Sequence, residues 1–213
     1  MHLVVGLGNP GRRYASTRHN VGFDVAERLA ERWSFGGTSD RFGSLVADGR
    51  IGEARAAIAR PQKFMNCSGG PVAAVAGFYK VAPEQTVVVH DEVDLPFGQV
   101  RVKAGGGHGG HNGLRDLVQH FSAAFLRVRV GVGRPPEGWD TADYVLGKWT
   151  AAEQAALPGV VDAAVDAVEA VIHDGAAAAM NRFNVRPERA VRPAKAASTP
   201  AEGQQVPSRP EET

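Results

Sequence analysis

Short apolar runs of strand length alternate along this chain with stretches whose apolar positions recur every three or four residues. The strand-length runs are LVVGLG (3–8), FGSLVAD (42–48), EARAAIA (53–59), TVVVHDE (86–92), QVRVK (99–103) and LRVRVGVG (126–133). Asp48-Gly49 between two of them predicts a hairpin, and therefore an antiparallel part of the sheet. Val25, Ala26, Leu29, Ala30 and Trp33 fall on one helical face, and Leu114, Leu117, Val118 and Phe121 on another. Pro71 suits the first turn of a helix over GPVAAVAGFYK. Thr150 and Glu153 form a capping-box pattern ahead of an Ala/Val-rich region that Pro158 is expected to divide and Gly175 to interrupt. Strands interleaved with helices predict an α/β fold, a mixed sheet covered on both faces.

From about Pro187 the periodicity stops, and Pro, Ala, Ser, Glu, Gln and Arg dominate. Such a segment has too little to bury against the entropy of ordering it, so the expected division is one domain over residues 1–186 and a disordered tail over 187–213. The 213 residues, 43% hydrophobic, suffice for one substantial core and one site. No apolar stretch reaches membrane-spanning length, and MHLVVGLGNPG lacks the pattern of a signal peptide, so a cytoplasmic protein without a membrane partner is expected. The lone Cys67 excludes an internal disulfide and a multi-cysteine zinc site. Residues 1–134 carry 17 Lys/Arg against 11 Asp/Glu, while 135–213 carry 7 against 12. That asymmetry raises the prospect of a polyanionic partner for the N-terminal part, although a merely solvated surface is as common.

GLGNPG, Gly6 to Gly11, spells G-x-G-x-x-G after an apolar run. A dinucleotide fingerprint needs its third glycine in the first turn of a helix and an acid at a strand end about twenty residues on. Here the chain continues as RRYASTRHN, helical periodicity begins only near Gly22, and Asp24, Glu27 and Glu31 fall on that helix. The motif is a decoy, and without G-K-[ST] it is no P-loop either. What remains is a tight turn followed by an exposed segment with Tyr14, Thr17, Arg18, His19 and Asn20.

Three further polar loops follow strands: PQKFMNCSGG (61–70), HDEVDLPFG (90–98) and AGGGHGGHNG (104–113). Loops at strand ends gather on one rim of an open sheet, which would assemble Asn9, His19, Asn66, Asp91 and Asn112. A histidine oriented by a carboxylate can activate water, and carboxamides can hold a peptide-like substrate and donate to an oxyanion, so the set suits ester hydrolysis without a metal. Three other readings compete: zinc held by His90, Asp91, His108 and His111; Cys67 as nucleophile beside His19 or His111; and a non-catalytic RNA-binding module.

Taken in order, GLGNPG, Tyr14, TRHNVGF (17–23), QKFMNCSG (62–69), HDEVDLPFG (90–98), GHNGLRD (110–116) and GVGRP (131–135) resemble bacterial peptidyl-tRNA hydrolase over residues 1–184. The resemblance implies a monomer with a twisted mixed sheet flanked by helices. It implies cleavage of the ester between a peptide and the 3′ end of tRNA, recycling tRNA from stalled translation, with no cofactor. It makes His19 the general base, Asp91 its orienting partner and Asn9 the residue that senses a blocked amino group. Asn66 and Asn112 become substrate-binding amides, Tyr14, Phe64 and Met65 the walls, His111 a wall residue that is not a catalyst, and Lys103 with Arg134 a clamp for the tRNA 5′-phosphate.

Overall fold

Seven strands order the described residues of this chain, and their register decides which loops can meet. The computed structural model describes residues 1–185; the expected tail over 187–213 lies outside them. The strands are β1 (His2–Gly6), β2 (Ser39–Arg41), β3 (Ser44–Ile51), β4 (Ala54–Pro61), β5 (Thr86–Glu92), β6 (Val100–Ala104) and β7 (Leu126–Gly131). The helices are α1 (Val21–Arg32), α2 (Gly69–Tyr79), α3 (Asn112–His120), α4 (Thr141–Leu146), α5 (Ala151–Asp174) and α6 (Ala176–Phe183). In one mixed sheet of order β2-β3-β4-β1-β5-β7-β6, the strands β4, β1, β5 and β7 run parallel, and β3 and β6 pair antiparallel at either side.

Alternation along the strands divides the core in two. Val4, Val87 and Val89 face Val21, Val25 and Leu29 of α1 and the Ala/Val face of α5. Leu3, Val5 and Val88 face Val72 and Val75 of α2 and Leu114 and Leu117 of α3. Each side chain named here is at most 2% exposed, and those on the α5 face are at most 9%, as expected where helices cover both faces of a largely parallel sheet.

Two expectations change. The β3–β4 hairpin turns at Gly52-Glu53, whereas Asp48-Gly49 lies inside β3, paired with Ala57 and Ala56. Gly49 is there because the Phe35 ring lies against it; a Cβ would sit 2.8 Å from that ring. Pro158 does not divide the helix either, since α5 runs unbroken from Ala151 to Asp174. Its first turn is anchored by the predicted capping box, and beyond the proline Asp162, Asp166 and Glu169 bind Arg28 and Arg32 of α1. Anchors on both sides of a proline can outweigh its missing hydrogen bond. Gly175 does end α5 as expected.

The same contacts qualify the charge asymmetry. Arg18, Arg28 and Arg32 of the basic half pair with Glu153, Asp162, Asp166 and Glu169 of the acidic half, so part of the opposition is internal structure.

Glycines set how closely α1 approaches the sheet. A Cβ on Gly6 would meet the Gly22 carbonyl oxygen at 2.2 Å, one on Gly22 would lie 2.5 Å from the carbonyl oxygens of Leu7 and Val89, and one on Gly8 would lie 2.7 Å from the Phe23 ring. The G-x-G of the decoy motif thus serves helix-on-sheet packing. Gly22→Ala is expected to destabilise the fold by about 3 kcal/mol, because the obstructing atoms are backbone. Gly36→Ala, with open space around it, should change stability by under about 1 kcal/mol; urea midpoints of the two variants would compare them.

Asp24 lines a cleft between α1 and α5, and burial pushes its carboxyl up to about 6. The native state then holds this proton more tightly than the unfolded chain, so this group's contribution to stability falls as pH rises from about 4 through about 6. Asp24→Asn should remove that dependence and add about 2 kcal/mol at neutral pH, with the part-exposure of the carboxyl allowed for. Urea denaturation at acid and neutral pH would measure both.

Candidate active site

A cleft of about 810 Å³ opens at the carboxyl ends of β1, β4 and β5. Asn9, Tyr14, His19, Phe64, Met65, Asn66, Asp91, His111 and Asn112 all line it, whereas Lys103 and Arg134 do not. The segment expected to be exposed is so only in part: Tyr14 is half-buried, but Thr17, Arg18, His19 and Asn20 are each at most 8% exposed. Arg18 is the physical reason. Its guanidinium bonds Glu153 of α5 (2.7 Å) and the Lys148 carbonyl (2.9 Å), and lies 4.4 Å from the Tyr144 ring centre. These contacts pull the 3-10 turn Arg18–Asn20 down beneath α4.

Within that turn His19 faces Asp91, near the end of β5. The His19 Nδ1–H donates to Asp91 Oδ1 at 2.8 Å, which leaves Nε2 as the basic nitrogen. A second imidazole meets the same oxygen, His111 Nε2 at 3.0 Å. His111 Nδ1 accepts from the backbone N–H groups of Gly113 and Leu114 at 3.1 and 3.3 Å, so it caps α3 and must carry its proton on Nε2. Burial works against a charge on Asp91. The facing imidazoles outweigh it and hold the carboxyl well below the usual carboxylate range.

Asn9 is held on three sides. Its backbone N–H donates to Asn20 Oδ1 (2.8 Å), its carbonyl accepts from Asn20 Nδ2 (2.9 Å), and its own Oδ1 accepts from the Met65 N–H (2.7 Å). The group left for the cleft is therefore Nδ2, a double donor. Asn66 is exposed on the wall, and Asn112 accepts from Arg115 at 3.1 Å. Tyr14 and Phe64 meet edge to face at 6.3 Å between ring centres, with Phe64 60% exposed.

His111 arrives by a route that the loop argument did not foresee. Because β6 is antiparallel, its last residue Ala104 pairs with Leu126 at the start of β7, on the rim opposite the cleft. The segment then climbs back beside β7, tied by the Gly105 N–H to the Phe125 carbonyl (3.0 Å) and by the Arg127 guanidinium to the carbonyls of Gly106 and Gly107.

The competing chemistries fit less well. Cys67 is exposed and outside the cleft lining. His90 Nδ1 is committed to the Asp91 carbonyl (2.7 Å), and burial, with His111 facing it, pushes the ring down to about 3. His108 Nδ1 accepts from the Gly110 N–H (3.1 Å). The grouping with a metal-like arrangement among the described residues is instead His19, Asp91 and His111, with ligand atoms within 4.8 Å of one another. Their two short hydrogen bonds already use those atoms.

The family model for peptidyl-tRNA hydrolase matches residues 3–192. The chain belongs to the peptidyl-tRNA hydrolase family. It is 50% identical over 185 residues to the peptidyl-tRNA hydrolase of Pseudarthrobacter chlorophenolicus, covering 85% of this chain and 94% of that one. It is 52% identical over 183 residues to that of Frankia alni, covering 85% and 93%. The crystal structure of peptidyl-tRNA hydrolase from Acinetobacter baumannii superimposes with a TM-score of 0.81 at 40% identity, covering 86% of this chain and 94% of that one. As a member of this family of hydrolases the protein is an enzyme, and none of its described helices is long and apolar enough to cross a membrane.

For a family that handles RNA, the placement of basic side chains matters. Lys103 is exposed on β6, whereas Arg134 lies past the end of β7, paired with Asp94 at 2.7 Å. Lys103 is in register with Arg127 at the far end of β7, so the structure does not bring it to Arg134. It shares a strand face with Arg101 and Arg129, which pair directly across β6 and β7, and Arg129 binds Glu92 at 2.9 Å. The alternation in QVRVK and LRVRVGVG carried this signal, since period two puts these bases on one side. Asn20 and Arg18, the residues that hold Asn9 and the His19 turn, were visible only as neighbours of His19.

The tautomers can be observed directly. Nitrogen-15 spectra of the imidazoles should show the proton on Nδ1 for His19 and on Nε2 for His111, and Asp91→Asn should lose the strongly downfield Nδ1 proton of His19.

Proposed function

We propose that the enzyme hydrolyses the ester joining a peptide, or an N-blocked amino acid, to the 3′ ribose of tRNA, with His19 as general base. The observation that carries this reading is the 2.8 Å bond from His19 Nδ1 to a buried carboxylate inside the cleft. Water bound at Nε2 attacks the ester carbonyl as Nε2 takes its proton. Asp91 stabilises the imidazolium, the tetrahedral intermediate collapses, and the imidazolium returns the proton to the departing ribose oxygen. All atoms are accounted for without a covalent enzyme intermediate or a metal.

Asn9 supplies selectivity in this scheme. With Oδ1 occupied by the Met65 N–H, its Nδ2 donors suit the carbonyl oxygen of an N-acyl group and gain nothing from a free ammonium, which has only donors. The amides of Asn66 and Asn112 hold the substrate and polarise the scissile carbonyl, a contribution of about 3 kcal/mol for a well-placed donor. His111 is a positioning residue, since its Nδ1 is committed to α3. Tyr14 and Phe64 offer faces to the acceptor end. Lys103 anchors the tRNA phosphates, with Arg101 and Arg129 beside it in place of Arg134. The enzyme in this proposal is a monomer working in the cytoplasm to recycle tRNA from stalled translation.

The test compares N-acetylated with free aminoacyl-tRNA. The acetylated ester should be cleaved and the free one spared, with turnover lost in His19→Ala, reduced about ten-thousandfold in Asp91→Asn, and unaffected by a chelator. Tight tRNA binding without cleavage would leave an RNA-binding module in place of a hydrolase, and a chelator-sensitive, zinc-restored activity would move His19, Asp91 and His111 to metal ligation.

A further inference from the structure

Helix α2, GGPVAAVAGFY, has no charged side chain among its eleven residues. A helix apolar all round is expected to be covered all round. Val72, Val75 and Ala76 are buried, but Gly70, Ala74, Gly77 and Phe78 face solvent. Phe42, in the β2–β3 turn, leans on Phe78 with ring centres 5.3 Å apart, and the two are 48% and 56% exposed. The turn holds Phe42 at φ +55°, a region that bulky residues avoid. Neither ring serves the core.

This patch is continuous with the cleft. In the β2–β3 turn the Gly43 carbonyl accepts from the Gln62 N–H at 2.8 Å, and a Cβ on Gly43 would lie 3.7 Å from Pro71 and 3.8 Å from the Lys63 side chain. Lys63 is followed directly by Phe64 on the cleft wall. A largely apolar strip, crossed by the Lys63 side chain, thus leads from the cleft wall past Pro71 along α2 to Phe42 and Phe78, where Arg41 flanks it 6.0 Å from the Phe78 ring centre.

Its direction identifies its occupant. His19 and Asp91 sit over the centre of the sheet, while the bases Arg101, Lys103 and Arg129 lie on β6 and β7 at one edge and the strip runs toward β2 and β3 at the other. A substrate broken at an ester, with its polyanion drawn to the basic edge, must extend its acyl half the opposite way. We propose that the strip is a docking surface for the peptide part of the substrate, taking apolar residues several positions from the ester. The proposal rests on the ester-hydrolase reading and extends it to a specificity that no catalytic residue supplies. An extended peptide advances about 3.3 Å per residue, so a hexapeptide of about 20 Å reaches further along the strip toward Phe42 and Phe78 than a single N-acetylated amino acid does.

The experiment compares the wild type with the double variant Phe42→Ser/Phe78→Ser on three substrates: N-acetyl-leucyl-tRNA, tRNA carrying an N-acetylated leucine-rich hexapeptide, and tRNA carrying an N-acetylated Ser/Gly hexapeptide. Both rings are half exposed, and a thermal melt checks that the variant folds. The wild type is expected to favour the leucine-rich hexapeptide by about tenfold in KM, the scale of burying one large apolar side chain. The variant should lose that advantage and cleave N-acetyl-leucyl-tRNA unchanged. Equal effects of the substitutions on all three substrates, or no preference in the wild type, would overturn the proposal while leaving the hydrolase reading standing. Weakened binding of deacylated tRNA by the variant would make the strip an RNA surface and overturn it as well. No cleavage of any substrate by the wild type would remove both readings together.

Discussion

Everything in the site depends on how closely α1 lies against β1 and β5. With Gly6 under the Gly22 carbonyl and Gly22 against the carbonyls of Leu7 and Val89, the helix start touches backbone on both strands. That contact brings the turn before α1 down onto the ends of the two strands, which puts His19 within hydrogen-bond range of Asp91 and Asn20 within range of Asn9. Side chains at those glycines would lift the helix and separate the pairs. Packing density and the geometry of the proposed active site are one constraint here, because an interior packed like a crystal transmits a displacement of an ångström without absorbing it.

Around that contact, Asp91 gathers two imidazoles on one carboxylate oxygen, and each is specified from elsewhere. His111 has its tautomer set by the N-terminus of α3, whose free N–H groups demand an acceptor. His19 has its place set by Arg18 beneath α4 and by α1 behind it. A buried carboxylate needs such partners to stay charged, and in the proposed mechanism the base needs a charged carboxylate to hold its proton donor in place. Stability and function therefore ask for the same hydrogen bonds, so there is little slack in the arrangement. Asn9 shows the same economy, since three hydrogen bonds leave it one free group.

Much of this was legible because it is local. The six strand runs, the faces of α1 and α3, the capping box at Thr150 and Glu153, and the end of α5 at Gly175 all follow from periodicity or from chemistry within a few residues. The misreadings share a cause: a distant part of the chain supplied what local rules could not see. Phe35 explains Gly49 inside a strand, the ion pairs of α1 carry α5 through Pro158, and the antiparallel run of β6 sends the His111 loop to its place from the far rim. Arg18, which reads as a polar loop residue, is buried by partners more than 120 residues away.

The sequence by itself determined the α/β alternation, the apolar faces and the family, through an ordered series of motifs that also singles out His19, Asp91, Asn9, Asn66 and Asn112 as candidates. These are properties of composition and spacing, which exist before folding. Tertiary structure alone decided which nitrogen of each histidine carries the proton, which end of Asn9 faces the cleft, and that Lys103 keeps company with Arg101 and Arg129 instead of Arg134. Each of those depends on the direction of a hydrogen bond or the register of a strand pair, and both arise only when segments far apart in the chain are brought within about 3 Å.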